Sequence, residues 1–313
     1  MNAYRSFAVT VTGINHKNDG KECQDASAHE TNSGMSVVVV ADGLGDGNCF
    51  RSATGSRIAA DCAIRGLKEC TEYLIGQKKG KDKYPQEQAE KCLKESLIQD
   101  GIIRLWHKLV ADDFTGSPFT EEELKSVDKE YRDKYSKSQS LHHAYATTLI
   151  AAAVTNDFWF GIHIGDGRLT ALYPDGTYDQ PVPWDERCFM NRTTSISDGD
   201  AAKRARFHFS FHATKPPPVA VFLCSDGIDD NYPVYENEKH LFKFYRAIVL
   251  TFAEDGFEST CEQLKELASQ FATECKGDDT SIAGFIDMET LKQTVPLWKK
   301  QIAEEEASTE KEA

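Results

Sequence analysis

Five short segments of the chain carry aspartate beside glycine or glutamine: Gln24-Asp25, Asp42-Gly43, Gly165-Asp166-Gly167-Arg168, Ser225-Asp226-Gly227 and Gly277-Asp278-Asp279-Thr280-Ser281. An aspartate at the end of a strand projects from a rigid edge, and a following glycine lets the backbone turn and approach a ligand closely. Carboxylates gathered without histidine or thiol suit hard, oxygen-preferring cations such as Mg²⁺ or Mn²⁺, which keep several of their waters. Two such ions a few ångströms apart would activate a water and clamp phosphoryl oxygens during in-line attack. Asp-Gly alone more often marks a turn, and Asp19-Gly20, Asp175-Gly176, Asp198-Gly199 and Asp255-Gly256 are read that way.

Strands must hold these aspartates. Three apolar runs, Ser36 to Ala41, Phe158 to Ile164 and Val219 to Cys224, are β-branched or aromatic and lead into Asp-Gly turns. Further strands are predicted at Phe7 to Val11, Thr148 to Val154, Leu169 to Tyr173 and Ser281 to Ile286, with hairpins around Asn156-Asp157 and Asp166-Gly167. Apolar residues at three- and four-residue spacing predict helices over Arg51 to Cys70, Gln86 to Val110, Glu121 to Ser136, Lys239 to Ala253 and Ser259 to Cys275. This order lacks the regular β-α-β alternation of a parallel sheet, and stacked antiparallel sheets with helices outside fit it better.

The 313 residues suffice for one large domain with insertions. A net charge of -14 argues against nucleic acid or an anionic membrane as partner through the overall field. Nine cysteines are scattered without CxxC spacing, which fits neither a zinc knuckle nor a disulfide framework. With no apolar run of membrane-spanning length and no signal peptide in Met1 to Thr12, a reduced cytoplasmic location is the default expectation. The Lys/Glu-rich stretch Lys78 to Lys91 reads as peripheral, and the tail from Ile302 to Ala313 as frayed.

The ordered motifs resemble the metal-dependent serine/threonine protein phosphatases of type 2C. The resemblance runs from about Gly13 to Ile286 and includes Ala41-Asp42-Gly43-Leu44-Gly45, Tyr145-Ala146-Thr147-Thr148-Leu149 and Leu223-Cys224-Ser225-Asp226-Gly227-Ile228. The opening from His16 to Gln24-Asp25 is similar to a bacterial branch. The resemblance implies an α+β, four-layer αββα sandwich of two antiparallel sheets flanked by helices. It implies a domain over 1–288 with a helical insertion about 72–140 and a flap-like segment about 174–218, then a C-terminal helix and acidic tail over 289–313. It also implies two Mg²⁺ or Mn²⁺ ions. Asp42 would bridge both, the Gly43 carbonyl would bind the first, Asp226 and Asp278 would bind the second, and Asp25 would orient water. Asp166 would serve an optional, weaker third ion. The activity implied is hydrolysis of phosphoserine and phosphothreonine by in-line attack of a metal-bridging water, on a protein phosphorylated by a cognate Ser/Thr kinase.

Two departures stand out. Many relatives carry an arginine before the Gln/Glu-Asp pair to hold phosphate; here the candidates are Lys21 and Lys17, point charges in place of a bidentate fork, together with His16. Some relatives place a histidine after the first Asp-Gly as an acid, whereas Leu44 stands here, leaving a metal-bound water or His16 for that task. The alternative reading is a weak or inactive pseudophosphatase acting as a binding or regulatory module. His142-His143, read as strand neighbours, would point oppositely and bind no metal together. Arg168 is read as pairing with a carboxylate, and Cys224 as a small buried hydrophobe. Thr280-Ser281 alone selects Asp278 over Asp279 as ligand.

Overall fold

The computed structural model describes residues 3–77, 85–188, 192–233 and 236–312, with side chains as far as 307. Its strands are β1 (Tyr4–Val11), β2 (Asp25–Thr31), β3 (Met35–Asp42), β4 (Leu149–Thr155), β5 (Phe158–Ile164), β6 (Arg168–Leu172), β7 (Tyr178–Asp179), β8 (Arg206–Phe211), β9 (Ala220–Cys224) and β10 (Thr280–Asp287). They form two five-stranded sheets, ordered β1-β10-β9-β6-β7 and β2-β3-β4-β5-β8, with every named pairing antiparallel.

The uninterrupted apolar runs are explained by burial on both faces of each sheet. Along β3, Val37, Val39 and Ala41 join a core with the helix Ser52–Gln77, while Val38 and Val40 turn into the space between the sheets. On β9, Phe222 and Cys224 meet the helices Asn237–Asp255 and Phe257–Glu274, and Val221 and Leu223 face the other sheet. Period-2 alternation thus splits each strand between two cores and produces the αββα sandwich expected. Cys224 is fully buried, as anticipated.

The Asn156-Asp157 hairpin forms, with Val154 opposite Trp159. The second expected hairpin does not. β5 pairs with β4 and β8, β6 with β9 and β7, so Gly165-Asp166-Gly167 carries the chain from one sheet to the other. Gly165 adopts φ 111°, and a Cβ on Gly167 would lie 2.3 Å from the Cys224 carbonyl oxygen. The two glycines therefore permit a tight passage between sheets rather than a turn within one.

Between β3 and β4 the helix Ser52–Gln77 is followed by a helical run from Gln86 to Gly116, whose middle, Cys92–Arg104, is wound as a π-helix. Of the stretch 78–91 expected to be peripheral, 78–84 lies outside the described residues, and Ala89 is buried against the core. The helix expected over Glu121 to Ser136 divides into Glu123–Lys125 and Lys129–Tyr135. The tail differs from expectation too: one helix, Met288–Glu312, packs on Asn237–Asp255, where Arg246 forks onto Glu305 at 2.9 and 2.8 Å. No helix among the described residues is long and apolar enough to cross a membrane.

Candidate metal centre

Register brings the first two aspartates together: Asp25, opening β2, lies directly opposite Asp42, closing β3. The backbone of Asp42 is fixed from β4's approach. Its carbonyl accepts Thr148 N and Thr147 Oγ1, both at 2.8 Å, and its amide donates to Thr148 Oγ1 at 3.1 Å. This gives the Tyr145–Leu149 motif a physical purpose, since hydroxyls at its centre lock the strand end that carries Asp42.

Asp226 opens a short helix, Asp226–Asp229, directly after β9. The preceding Ser225 donates from Oγ to Asp25 Oδ2 at 2.8 Å and accepts the Ser281 amide at 2.9 Å, tying β2, β9 and β10 into one cluster. Arg168 braces the other side, as its sequence context suggested: Nη2 lies 3.0 Å from Asp229 Oδ2, and Nη1 donates to the Asp166 carbonyl at 2.7 Å. Its guanidinium also stacks 3.6 Å from the Trp184 ring centroid.

These elements open onto a cavity of about 660 Å³ lined by Asp42, Gly43, Asp166, Asp226 and Asp278, with His16, Asp46, Asp230 and Asp279 also at its wall. Without a cation the carboxylates raise one another's proton affinity. Asp42 and Asp25 are held well above the usual range, by burial first and then by Asp226. Burial, with Asp166 second, pushes Asp226 up to about 7. The Asp42 and Asp226 side chains are close enough to share a hydrogen bond. Burial also raises Asp166, against a hydrogen bond from Thr193.

The adjacent pair Asp278-Asp279 divides its labour. Asp279 is 3% exposed, and its carboxylate accepts Gly13 N at 2.7 Å, Gln24 N at 2.6 Å and His16 Nδ1 at 2.9 Å. Asp278 is exposed at the cavity, with one oxygen capping the Asp279 amide at 2.8 Å.

The donors fit a hard cation: carboxylates and a neighbouring backbone carbonyl, with Cys49 the one thiol at the cavity wall among the described residues. Among the described residues, no three carboxylate, imidazole or thiol side chains are arranged to hold an ion by themselves. That is compatible with Mg²⁺ or Mn²⁺, which use one or two carboxylates and complete their shells with water and other oxygens.

Of the residues considered for phosphate, His16 reaches the cavity and Lys17 and Lys21 do not line it; Lys21 instead pairs with Asp19 at 3.3 Å on the surface. Among the described residues the one guanidinium or ammonium at the cavity wall belongs to Arg192, which the sequence reading missed because it lies in the aperiodic flap-like segment. Its neighbourhood is stitched to the Asp42 support: Ile196 N donates to Thr147 O at 3.0 Å, and Ser195 Oγ donates there at 3.0 Å. His142 and His143 sit on a 3₁₀ turn, Leu141–Tyr145, not a strand. His142 packs tilted against His107, ring centroids 4.3 Å apart, whereas His143 lies nearly parallel to Tyr131 at 4.5 Å and lines the cavity.

Two antiparallel sheets between helical layers, with a carboxylate cavity at the strand ends, define an αββα protein equipped for hard divalent cations. The chain belongs to the protein phosphatase 2C family, whose model matches residues 12–307. Among solved structures it resembles the serine/threonine phosphatase Stp1 from Staphylococcus aureus, at 17% identity and TM-score 0.50 over 91% of this chain and 95% of that one. It also resembles the catalytic domain of the serine threonine protein phosphatase PstP in complex with two manganese ions, at 15% identity and TM-score 0.50 over 90% and 97%. A bacterial serine phosphatase matches at 16% identity and TM-score 0.50, over 90% and 97%. At these identities the likeness speaks for the fold. No curated protein matches.

Proposed function

We propose that the chain is a metal-dependent phosphoprotein phosphatase acting on phosphoserine and phosphothreonine. The observation that carries this is convergence: Asp42 with Gly43, Asp166, Asp226 and Asp278, from four separate strand ends or turns, line one cavity. In this reading Asp42 would contribute to both ions, the Gly43 carbonyl would join it on the first, Asp226 and Asp278 would hold the second, and Asp166 would serve an optional third. Two Mg²⁺ or Mn²⁺ ions held there would activate water and neutralise charge on the transferring phosphoryl group. Asp25, hydrogen-bonded to Ser225 beside Asp226, orients the attacking water for in-line displacement. Arg192 meets the substrate phosphate as a fork, taking the place considered for Lys21 and Lys17. A Ser/Thr kinase would supply the substrate.

Turnover of a phosphoserine peptide in Mn²⁺, its loss in EDTA, and a fall of at least about 10²-fold in Asp226→Asn are expected. A folded protein that binds no metal and turns over nothing would favour the binding-module reading instead.

A further inference from the structure

We propose that His16 is a catalytic residue of this phosphatase, donating a proton from Nε2 to the departing seryl or threonyl oxygen, with Asp279 as its positioning residue. The inference rests on the phosphatase reading and adds the group that reading lacks. Leu44, after the first Asp-Gly, has no proton to give.

The geometry is that of a carboxylate-held imidazole. His16 lies in the short helix Ile14–Asp19, and its ring lines the same cavity as Asp42, Asp226 and Asp278. Its Nδ1 is 2.9 Å from Asp279 Oδ2. Asp279 also takes the amides of Gly13 and Gln24, at 2.7 and 2.6 Å, so its carboxylate is an acceptor and the hydrogen between them sits on Nδ1. That bond fixes the ring and leaves Nε2 as the nitrogen whose proton can move. Among the described residues Nε2 makes no hydrogen bond, and the side chain is 13% exposed. The mount is rigid as well: Asn15 N donates to Gly277 O at 3.0 Å, and Gly13 packs so closely on the Asp278 backbone that a Cβ would lie 2.4 Å from its carbonyl carbon.

Neither the other imidazole nor the guanidinium at the cavity wall fits the role. His143 is stacked on Tyr131 with Nε2 3.7 Å from Cys49 Sγ, and burial lowers its proton affinity. Arg192 does not release protons at working pH.

In the step proposed, a water oxygen bonds to phosphorus as the bond from phosphorus to the seryl Oγ breaks. The pair of that bond passes to Oγ, which takes the Nε2 proton and leaves as the alcohol. The ring is reprotonated by the proton the attacking water lost, so phosphomonoester and water give alcohol and phosphate.

An alkoxide needs that proton and 4-nitrophenolate does not, so the leaving group is the test. His16→Gln should lose about 10²–10⁴-fold in kcat/KM on a phosphoserine peptide and only a few-fold on 4-nitrophenyl phosphate. Its Mn²⁺ isotherm and melting temperature should match the wild type. Asp279→Asn should show the same leaving-group selectivity with a smaller loss. His16→Ala, which needs no new fit beside Asp279, is the second variant should His16→Gln fold poorly. Equal losses on both esters, or none, would overturn the role of His16 while leaving the phosphatase reading intact. Wild-type turnover of neither ester would overturn that reading and this role with it.

Discussion

Removing charge from the cavity should stabilise the metal-free protein. Asp226 is raised from an ordinary 3.8 to about 7 by burial and then by Asp166. A rise of about 3 units corresponds to about 4 kcal/mol at ~1.4 kcal/mol per unit. The sign follows from proton uptake. Between pH 4 and 7 the folded carboxyl keeps a proton that the unfolded one has lost, so stability falls as pH rises through this window. Asp226→Asn stays neutral and escapes the fall. Without metal, its advantage over wild type should be under about 2 kcal/mol at pH 5 and approach about 4 kcal/mol at pH 7.5. At about 2 °C per kcal/mol for a chain of this size, the melting temperature in EDTA should rise by up to ~8 °C at the higher pH. Mn²⁺ should reverse the order, since each ion bound at 100 times its Kd adds about 2.7 kcal/mol to the wild type. Thermal melts at both pH values, with EDTA and with Mn²⁺, measure all four quantities. A difference that does not change with pH, or an Asn variant less stable in EDTA at pH 7.5, would refute the reasoning.

Arg168→Ala leaves the buried Asp229 carboxylate without its guanidinium and strips the brace from the Asp166 carbonyl. Denaturant unfolding should show a loss of about 3–5 kcal/mol. Gly13→Ala forces the loop at 277–278 outward, because a Cβ would lie 2.4 Å from both the Gly277 carbonyl oxygen and the Asp278 carbonyl carbon. Calorimetry should find Mn²⁺ affinity reduced more than stability is. Arg192→Ala should raise KM for phosphopeptide by roughly tenfold or more with a smaller change in kcat, the pattern of lost ground-state binding. An unchanged KM would remove Arg192 from the phosphate site.

The strands with buried, β-branched runs were legible because burial on both faces writes an unbroken apolar signature, as in Val37 to Val40 and Phe158 to Ile162. β2 was not, since Asp25–Thr31 is an edge strand rich in polar and small residues, buried only at Asp25 and Ala26. β8 alternates aromatic with polar residues, a readable pattern hidden within a segment taken as flap. The hairpin at Asp166-Gly167 failed because a glycine-rich link between neighbouring strands does not reveal which sheet each strand joins. The acidic tail carried no apolar stripe to announce a helix, yet it continues one that is anchored earlier by Leu291 and Trp298, both fully buried. At the cavity, the aspartates were visible through their ordered motifs, whereas the use of Asp279 to hold His16 and the approach of Arg192 depend on contacts between segments distant in the chain.

The proposed chemistry requires cations meeting oxygen at Asp42, Gly43, Asp226 and Asp278, so their positions are the decisive measurement. Anomalous scattering from crystals soaked in Mn²⁺ should show two strong peaks, with Asp42 between them, the Gly43 carbonyl at one and Asp226 and Asp278 at the other. Peaks confined to other carboxylates, or none in this cavity under conditions that support phosphopeptide hydrolysis, would contradict it.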